Sequence, residues 1–434
     1  MLKGEIMIKK SVELANDVVF KYIETDKFKT NYFSFNFISP LVSDKTAYNS
    51  LLPLVLMRGC EKYPTQADIN KKLQYLYSGE IVARNDAFGE YQIFGLKANM
   101  LDNRYSQGTD VTMETVDLIC NMLFKPLLEN GVFSEKYTRG EKINLIDIIE
   151  SERNNKTKYS MERLKEEMCQ NEVFGISKLG KVENVQKITP QSLYNAYKEI
   201  LSTYPIEIYF VGKCDFEKLS NMLASQFNSI GRKPITINKV KTIEKATNVK
   251  QIVDIENVKQ GKLCLGFRTG YKVEDNKYYL LQLFNEVFGG SPTSKLFMNV
   301  REKMSLCYYC RSIVNQRNGI MIVASGIEFS NKEIAENAII EQLNAIKNGD
   351  ITLEEFESAR KSIRNGYLQV YDSAESMETW AFFRGLCGSN ATPTDECDKI
   401  DTATINDIKN VAAKMTLDTV YFLKGIEKSE VNNG

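Results

Sequence analysis

The sequence contains the same order of elements twice, and this internal repeat restricts the fold more than any other feature. Each copy has a strand with alternating large apolar residues: Phe33, Phe35 and Phe37 in the first copy, and Leu263, Leu265 and Phe267 in the second. In each copy an amphipathic helix follows the strand and runs into a glycine, Gly59 or Gly290. Strand pairs, two long helices and similar closing segments come next in both halves. The repeat therefore predicts two domains of one plan.

The predicted fold class is α+β, with two tandem homologous domains, each a mostly antiparallel sheet packed with helices. The chain of 434 residues is long enough for both. A polar stretch, "GRKPITINKVKTIEKATNVK", separates the two copies. We place the first domain at residues 1–235 and the second at residues 236–434.

Charge and cysteine content exclude several classes of function. The 56 basic and 56 acidic residues balance, which argues against nucleic acid as a partner. No apolar run is long enough to span a bilayer, and the charged N-terminus does not resemble a signal peptide, so we expect no membrane association. The nine cysteines are scattered and odd in number, as in reduced proteins. The sequence predicts a cytoplasmic location.

The chain has no histidine, which removes the usual general base of nucleophilic catalysis and a common metal ligand. Ser358 and Lys361 have the S-x-x-K spacing, but they fall in a helical run that reads as a solvated face. Cys307 and Cys310 have a C-x-x-C spacing without a second pair, which favours two semi-buried thiols. An enzyme that uses one of these pairs remains an alternative.

The stretch "FGGSPTSKLFMNVREKMSLCYY" resembles the second-domain signature of the pitrilysin/insulinase family of zinc peptidases. The resemblance covers nearly the whole chain and is closest to the short two-domain form typified by mitochondrial processing peptidase. It implies that Arg301 and Tyr308 hold a peptide substrate. An Arg presents a planar fork of donors to a carbonyl, and a Tyr hydroxyl can donate to an oxyanion. The alternative is a surface helix residue and a strand aromatic.

The first half departs from the family's zinc motif, H-x-x-E-H on a helix. Aligned on Gly59 and on the turn Lys62-Tyr63-Pro64, the motif positions are Ser50, Pro53 and Leu54. A Ser hydroxyl is a poor zinc ligand, Leu54 has no lone pair, and Pro53 cannot accept a proton. Because proline removes a helical hydrogen bond, we expect this helix to be kinked or to begin late.

The family's third zinc ligand is a Glu on a later helix, and its best match here is Asp147, with Glu150 as the competitor. One carboxylate does not hold Zn²⁺. The resemblance therefore implies a degenerate site, with no metal or other cofactor in this chain and no catalysis by the chain itself.

Some family members are heterodimers in which one subunit carries the zinc and the other completes the substrate chamber. The resemblance thus implies a partner: a bacterial zinc-bearing paralogous subunit, with Arg301 and Tyr308 acting in trans on its peptide substrate. Small peptides or leader peptides are the expected substrates. The alternative is a structural or scaffold protein of the same fold with no role in proteolysis.

Overall fold

The computed structural model describes residues 7–239, 242–271, 277–315 and 317–426. The described residues form two compact units. The first unit takes its residues from Met1–Glu150, Ile176–Lys239 and Val370–Asn390, and the second from Ser151–Gly175, Val240–Gln369 and Ala391–Gly434. A single cut between residues 235 and 236 would place residues 151–175 and 370–390 in the opposite units.

The strands of the first unit are β1 (Lys10–Ala15), β2 (Val18–Glu24), β3 (Thr30–Pro40), β4 (Glu80–Phe88), β5 (Tyr91–Leu101), the short pair β6 (Leu128–Glu129) and β7 (Val132–Phe133), and β8 (Ile206–Gly212). Those of the second unit are β9 (Lys250–Ile255), β10 (Gly261–Arg268), β11 (Cys307–Asn315), β12 (Ile320–Ile327) and β13 (Thr416–Lys424).

The helices are α1 (Ser43–Leu56), α2 (Gln66–Tyr75), α3 (Val111–Phe124), α4 (Glu135–Asn154), α5 (Lys156–Met168), α6 (Val182–Lys187), α7 (Pro190–Thr203), α8 (Phe216–Ser225), α9 (Tyr278–Asn285), α10 (Lys332–Asn348), α11 (Leu353–Leu368), α12 (Ala374–Leu386), α13 (Pro393–Asp401) and α14 (Ile405–Lys414). Two further segments, Glu286–Gly290 and Leu296–Lys303, are π-helical. Within the described ranges, no helix combines the length and the apolar character needed to cross a membrane.

The two sheets share one topology, which confirms the predicted duplication. The first sheet has the order β1-β2-β8-β3-β5-β4 and the second the order β11-β12-β10-β13-β9. Without β1, the first order corresponds to the second read from β9 to β11. In both sheets the pair at one end, β2 with β8 or β9 with β13, is parallel. The remaining shared pairs are antiparallel. The class is therefore α+β, as predicted.

The sheet of the first unit is covered on both faces. Phe33, Phe35 and Phe37 are buried in the larger core, together with residues of α1 and α3. On the opposite face, α12 covers the sheet with Met377, Ala381 and Phe382, which belong to a second core cluster. Strand β3 is therefore buried along nearly its whole length, including its polar positions.

Polar residues of β3 and β4 meet a carboxylate of α12. Glu378, which is 0% exposed, accepts hydrogen bonds from the Arg84 guanidinium at 2.7 Å and from the Ser34 hydroxyl at 2.8 Å. Arg84 also lies 4.8 Å from the ring centre of Phe382. Helix α12, which follows most of the second unit in sequence, thus supplies both an ionic and an apolar part of the first unit.

The segment 151–175 does the same for the second unit. Arg268 in β10 donates to Glu172 at 2.9 Å and to Asp418 at 2.8 Å, and all three groups are nearly fully buried. At Gly266 an added Cβ would lie 2.6 Å from the Met168 sulfur and 3.4 Å from a Leu164 methyl group, so side chains of α5 pack directly against the backbone of this strand. In each unit, a buried arginine of the sheet therefore pairs with a carboxylate from a segment that is distant in sequence. Arg84 pairs with Glu378 of α12, and Arg268 pairs with Glu172 of the segment 151–175.

One local expectation needs correction. Helix α1 does not begin late: it starts at Ser43 and continues through Pro53 to Leu56. The fully buried Leu51 and Leu52 pack this turn into the core and offset the missing hydrogen bond. In the second unit, the segment that matches α2 starts after Lys295, and the Ser291 hydroxyl donates to the Glu286 carbonyl at 3.1 Å.

Candidate functional site

Ser50 is the centre of a buried hydrogen-bond network between α1, β4 and β5. Its hydroxyl oxygen lies 2.8 Å from the Thr46 carbonyl and 2.7 Å from the Lys178 carbonyl, so its single proton can serve either one. The same oxygen accepts a hydrogen bond from the Asn85 amide at 2.8 Å. Gln92 on β5 donates to the Lys178 carbonyl at 2.8 Å and closes the network.

This network is neutral throughout. Asn49, also on α1, donates to Ser39 at 3.1 Å and to Gln92 at 2.9 Å. Its own amide oxygen is buried without a hydrogen-bond partner among the described residues. A lone amide oxygen among hydroxyls and amides does not fit Zn²⁺, which takes thiolate, imidazole or carboxylate ligands. In the described part of the chain, no group of three His, Cys, Asp or Glu side chains could hold a metal ion.

The side chains at the other two motif positions on α1 have no atom that can bind a metal. Pro53 is buried, and Leu54 is partly buried against the larger core. The residues present therefore do not fit the zinc of the family's motif, and no catalytic step follows from them.

The carboxylate that α4 directs toward α1 is neither of the two candidates from the sequence. Asp147 and Glu150 are both exposed. Instead Glu141 is buried and accepts a hydrogen bond from Arg58, which follows α1 directly. This ion pair was not expected from the sequence. The spacing of the buried residues Thr138, Glu141 and Leu145 on α4 was the signal that could have identified it.

Arg301 lies near the end of the π-helical segment Leu296–Lys303, and its side chain is 38% exposed. The guanidinium is 4.5 Å from the ring centre of Phe297 and 3.4 Å from the Glu302 carboxylate. The turn after this segment contains Ser305 with a φ of 52° and leads directly into β11. π-Helical turns are rare and often occur at functional sites.

Tyr308 lies in a bulge at the start of β11, where the pairing with β12 shifts between Cys307 and Tyr309. Its side chain is 62% exposed, and its hydroxyl donates to Glu328 at 2.7 Å. That hydrogen bond to a carboxylate raises the pKa of Tyr308. Bulges of this kind redirect side chains out of the sheet.

The thiols of Cys307 and Cys310 interact on either side of this bulge. A hydrogen bond from the Cys310 thiol lowers the pKa of Cys307, against the effect of burial, and the positive charge of Arg301 lowers it further. The same interaction raises the pKa of Cys310. The positive charge of Arg301 therefore acts on the first residue of β11. Ser358 and Lys361, the other pair considered above, both lie on α11.

Comparisons with known proteins identify the relatives of this chain. The family model described as "Peptidase M16 inactive domain" matches residues 187–363. A Bacillus subtilis protein named "Probable inactive metalloprotease YmfF" is 33% identical over 406 residues, which cover 93% of this chain and 95% of that protein.

Two further relatives are informative. The Bacillus subtilis "Antilisterial bacteriocin subtilosin biosynthesis protein AlbE" is 25% identical over 274 residues, or 62% of this chain and 66% of that protein. A crystal structure of a conserved protein from Enterococcus faecalis V583 superimposes with a TM-score of 0.91 at 27% identity, covering 96% of this chain and 99% of that one. From its similarity to these proteins, the chain belongs to the M16 family, the pitrilysin/insulinase-type peptidases, and is a homologue of a protein named as a probable inactive metalloprotease.

Proposed function

We propose that the chain is the non-catalytic subunit of a cytoplasmic heterodimeric zinc peptidase. It binds a peptide substrate and completes the active site of a zinc-bearing paralogous subunit with Arg301 and Tyr308. The zinc and its activated water belong to that partner. The observation that carries the proposal is a contrast within one chain: the Ser50 network holds no metal ligands, whereas Arg301 and Tyr308 both remain accessible.

The neutral network supports the non-catalytic part of the proposal. A residual zinc site would leave carboxylates or thiols facing the position of Ser50. Here Ser50, Asn85 and Gln92 instead satisfy one another and the Lys178 carbonyl. Buried polar groups that satisfy one another stabilise a fold, so this region has a structural role of its own.

The exposure of Arg301 and Tyr308 supports the substrate-binding part. Neither side chain is needed in a core: among the described residues, Arg301 contacts the Phe297 ring and Glu302, and Tyr308 contacts Glu328. A guanidinium fork can bind peptide carbonyls, and a protonated phenol can donate to an oxyanion. The hydrogen bond to Glu328 orients the phenol.

The relative named for subtilosin biosynthesis supports a peptide as the substrate class. Its name refers to the making of a bacteriocin. We extend this to the present chain as a proposal that it takes part in processing small peptides or leader peptides.

The test is a peptidase assay on an unstructured peptide. It compares this chain alone, the zinc-bearing paralogue from the same genome alone, and the two mixed. We expect activity in the mixture only, and its loss when the chain carries Arg301→Ala with Tyr308→Phe. Lys303→Ala is the matched control, because Lys303 is an exposed cation in the same π-helical segment.

Activity of the paralogue alone that this chain does not change would overturn the proposal and favour a scaffold. Full activity of the Arg301→Ala/Tyr308→Phe mixture would likewise remove these two residues from the site. The comparison with the variant requires that the variant still binds the paralogue, which gel filtration of the mixture tests.

A further inference from the structure

The second unit contains a cleft of about 710 Å³ that the proposed function does not use. It lies between α9 with the π-helical segment Glu286–Gly290, the edge strand β11, and α11. Among the described residues that line it, Glu286 is the only charged one. The remainder are neutral polar groups and a few aliphatic side chains.

The repeat gives this cleft a counterpart in the first unit. Helix α9 precedes β11 and β12 as α1 precedes β4 and β5, and the sheet orders correspond. In the first unit the Ser50–Asn85 hydrogen bond joins α1 to β4. In the second unit the Ser312 hydroxyl of β11 donates to the Asn285 amide oxygen of α9 at 2.8 Å.

The helix residues that face the cleft have the spacing of the zinc motif. Gln282, Asn285 and Glu286 are at positions i, i+3 and i+4, so they share one helical face. The Gln282 amide oxygen accepts a hydrogen bond from the Tyr367 hydroxyl. Because the amide oxygens of Gln282 and Asn285 are already engaged, Glu286 is the strongest acceptor left in the cleft.

The Glu286 carboxylate forms no ion pair with any described residue. Burial raises the pKa of Glu286, and a hydrogen bond from the Ser362 hydroxyl opposes that effect only in part. At Gly290 an added Cβ would lie 2.6 Å from the Asn285 amide nitrogen and 2.9 Å from a Glu286 carboxylate oxygen. Glycine at this position therefore leaves the carboxylate its room.

We propose that this cleft binds a primary ammonium or guanidinium group through Glu286, as at the end of a lysine or arginine side chain. An anion would meet only a negative charge, and an apolar group would leave the partly desolvated carboxylate unsatisfied. A basic side chain also has an aliphatic stem, and Ile313, Val314 and Ile363 provide walls for it. The site goes beyond the proposed function and requires no partner subunit.

Calorimetric titration of the full-length chain alone tests the site at low ionic strength. The ligands are N-acetyl-lysine amide and N-acetyl-arginine amide, with N-acetyl-norleucine amide and N-acetyl-citrulline amide as neutral analogues of similar shape. Free spermidine and an acetylated Ala-Arg-Ala amide distinguish a small-molecule cation from a peptide side chain. Tighter binding of either one identifies the source, and both results support the site.

We expect the cationic ligands to bind and the neutral analogues to bind at least about tenfold more weakly, as for the loss of a hydrogen bond to a charged group. Glu286→Gln should weaken the cationic ligands by a similar factor, and Glu286→Asp should keep part of the affinity. Glu341→Gln is the matched control, since Glu341 is an exposed acid on α10 outside the cleft.

Equal binding of cationic and neutral ligands would overturn the inference, as would equal binding by Glu286→Gln and the wild-type chain. Absence of binding by all cationic ligands would also overturn it. Thermal unfolding of each variant checks that any loss is local. Because the partner subunit is absent, failure here leaves the peptidase proposal intact, and the reverse also holds.

Discussion

The guanidinium of Arg84 on β4 donates a 2.7 Å hydrogen bond to the carboxylate of Glu378 on α12, a residue 294 positions later in the sequence. Both side chains are almost completely buried. A buried ion pair is not by itself a large source of stability, but removing one partner strands a charge in the interior.

Replacing Glu378 with Ala should therefore lower the free energy of unfolding by about 3–5 kcal/mol. The double variant Arg84→Met/Glu378→Leu should recover much of that loss, because no charge remains unpaired. Chemical denaturation measures both. Glu375→Gln on the same helix is the control: the Glu375 carboxylate pairs with Lys97 but is 44% exposed, so its loss should cost less than about 1 kcal/mol. Equal costs for the two glutamates would contradict this reasoning.

A fragment of residues 1–235 should be a poor folding unit. It lacks α12, so Arg84, Asn36 and Ser34 lose the Glu378 carboxylate, and the apolar residues of the second core cluster are uncovered. We expect broad thermal unfolding and aggregation of the fragment. A synthetic peptide of residues 370–390 added in trans should sharpen the transition. A fragment that unfolds cooperatively without the peptide would show that α12 is dispensable.

Ser50→Ala should reduce stability without affecting the proposed peptide processing. The substitution removes a hydroxyl that bonds to Asn85 and a backbone carbonyl, and leaving such buried groups unpaired costs about 1–3 kcal/mol. Denaturation gives the stability, and the mixed peptidase assay gives the function. Ser225→Ala is the control, because its exposed hydroxyl donates to the Met222 carbonyl and accepts from the Gln226 amide at the protein surface. Activity that depends on the Ser50 hydroxyl in a stable variant would assign Ser50 more than a structural role.

Cys307 should be the first thiol to react with iodoacetamide. The Cys310 thiol donates to it and lowers the pKa of Cys307 below the ordinary value of 9.0. A thiol with a lowered pKa is ionised at lower pH, so the rate of Cys307 alkylation should rise at lower pH than for an ordinary cysteine. By contrast, burial raises the pKa of Cys120 and of Cys264 to about 12.

Peptide mass spectrometry after graded alkylation measures these rates. Cys310→Ala removes the donor and should move the pH profile of Cys307 upward, whereas Cys310→Ser keeps a donor and should move it less. An unchanged profile in Cys310→Ala would show that the neighbouring thiol does not control Cys307.

Much of the fold could be predicted because the repeat fixes the order of elements. Alternation identified β3 and β10, and the corresponding sheet orders confirm the duplication. The repeat does not predict that α12 belongs to the first unit or that α5 belongs to the second. Ser34 and Asn36 on β3 read as a solvent face, since nothing local indicates that a helix more than 300 positions away covers them.

The candidate site shows the same limit. The motif positions Ser50, Pro53 and Leu54 and the pair Arg301 and Tyr308 came from fixed sequence anchors, and their roles stay predictions. No such anchor exists on α4, so the sequence favoured Asp147 and Glu150 as matches to the third zinc ligand and did not single out the buried Glu141. The helical periodicity of α4 indicates that Glu141 is buried, but it does not identify Arg58 as its partner.

The position of α12 in the sequence also sets a schedule for synthesis. A ribosome that has just added Arg84 must add 294 more residues before Glu378 exists. At bacterial elongation rates of about 5–20 residues per second, that interval lasts about 15–60 s. Until α12 has been made, one apolar face of the first sheet and the Arg84 side chain lack the helix that covers them in the folded protein. Chaperones that bind exposed sheet faces on the ribosome would have their opportunity in this interval, which closes only after α12 has been made.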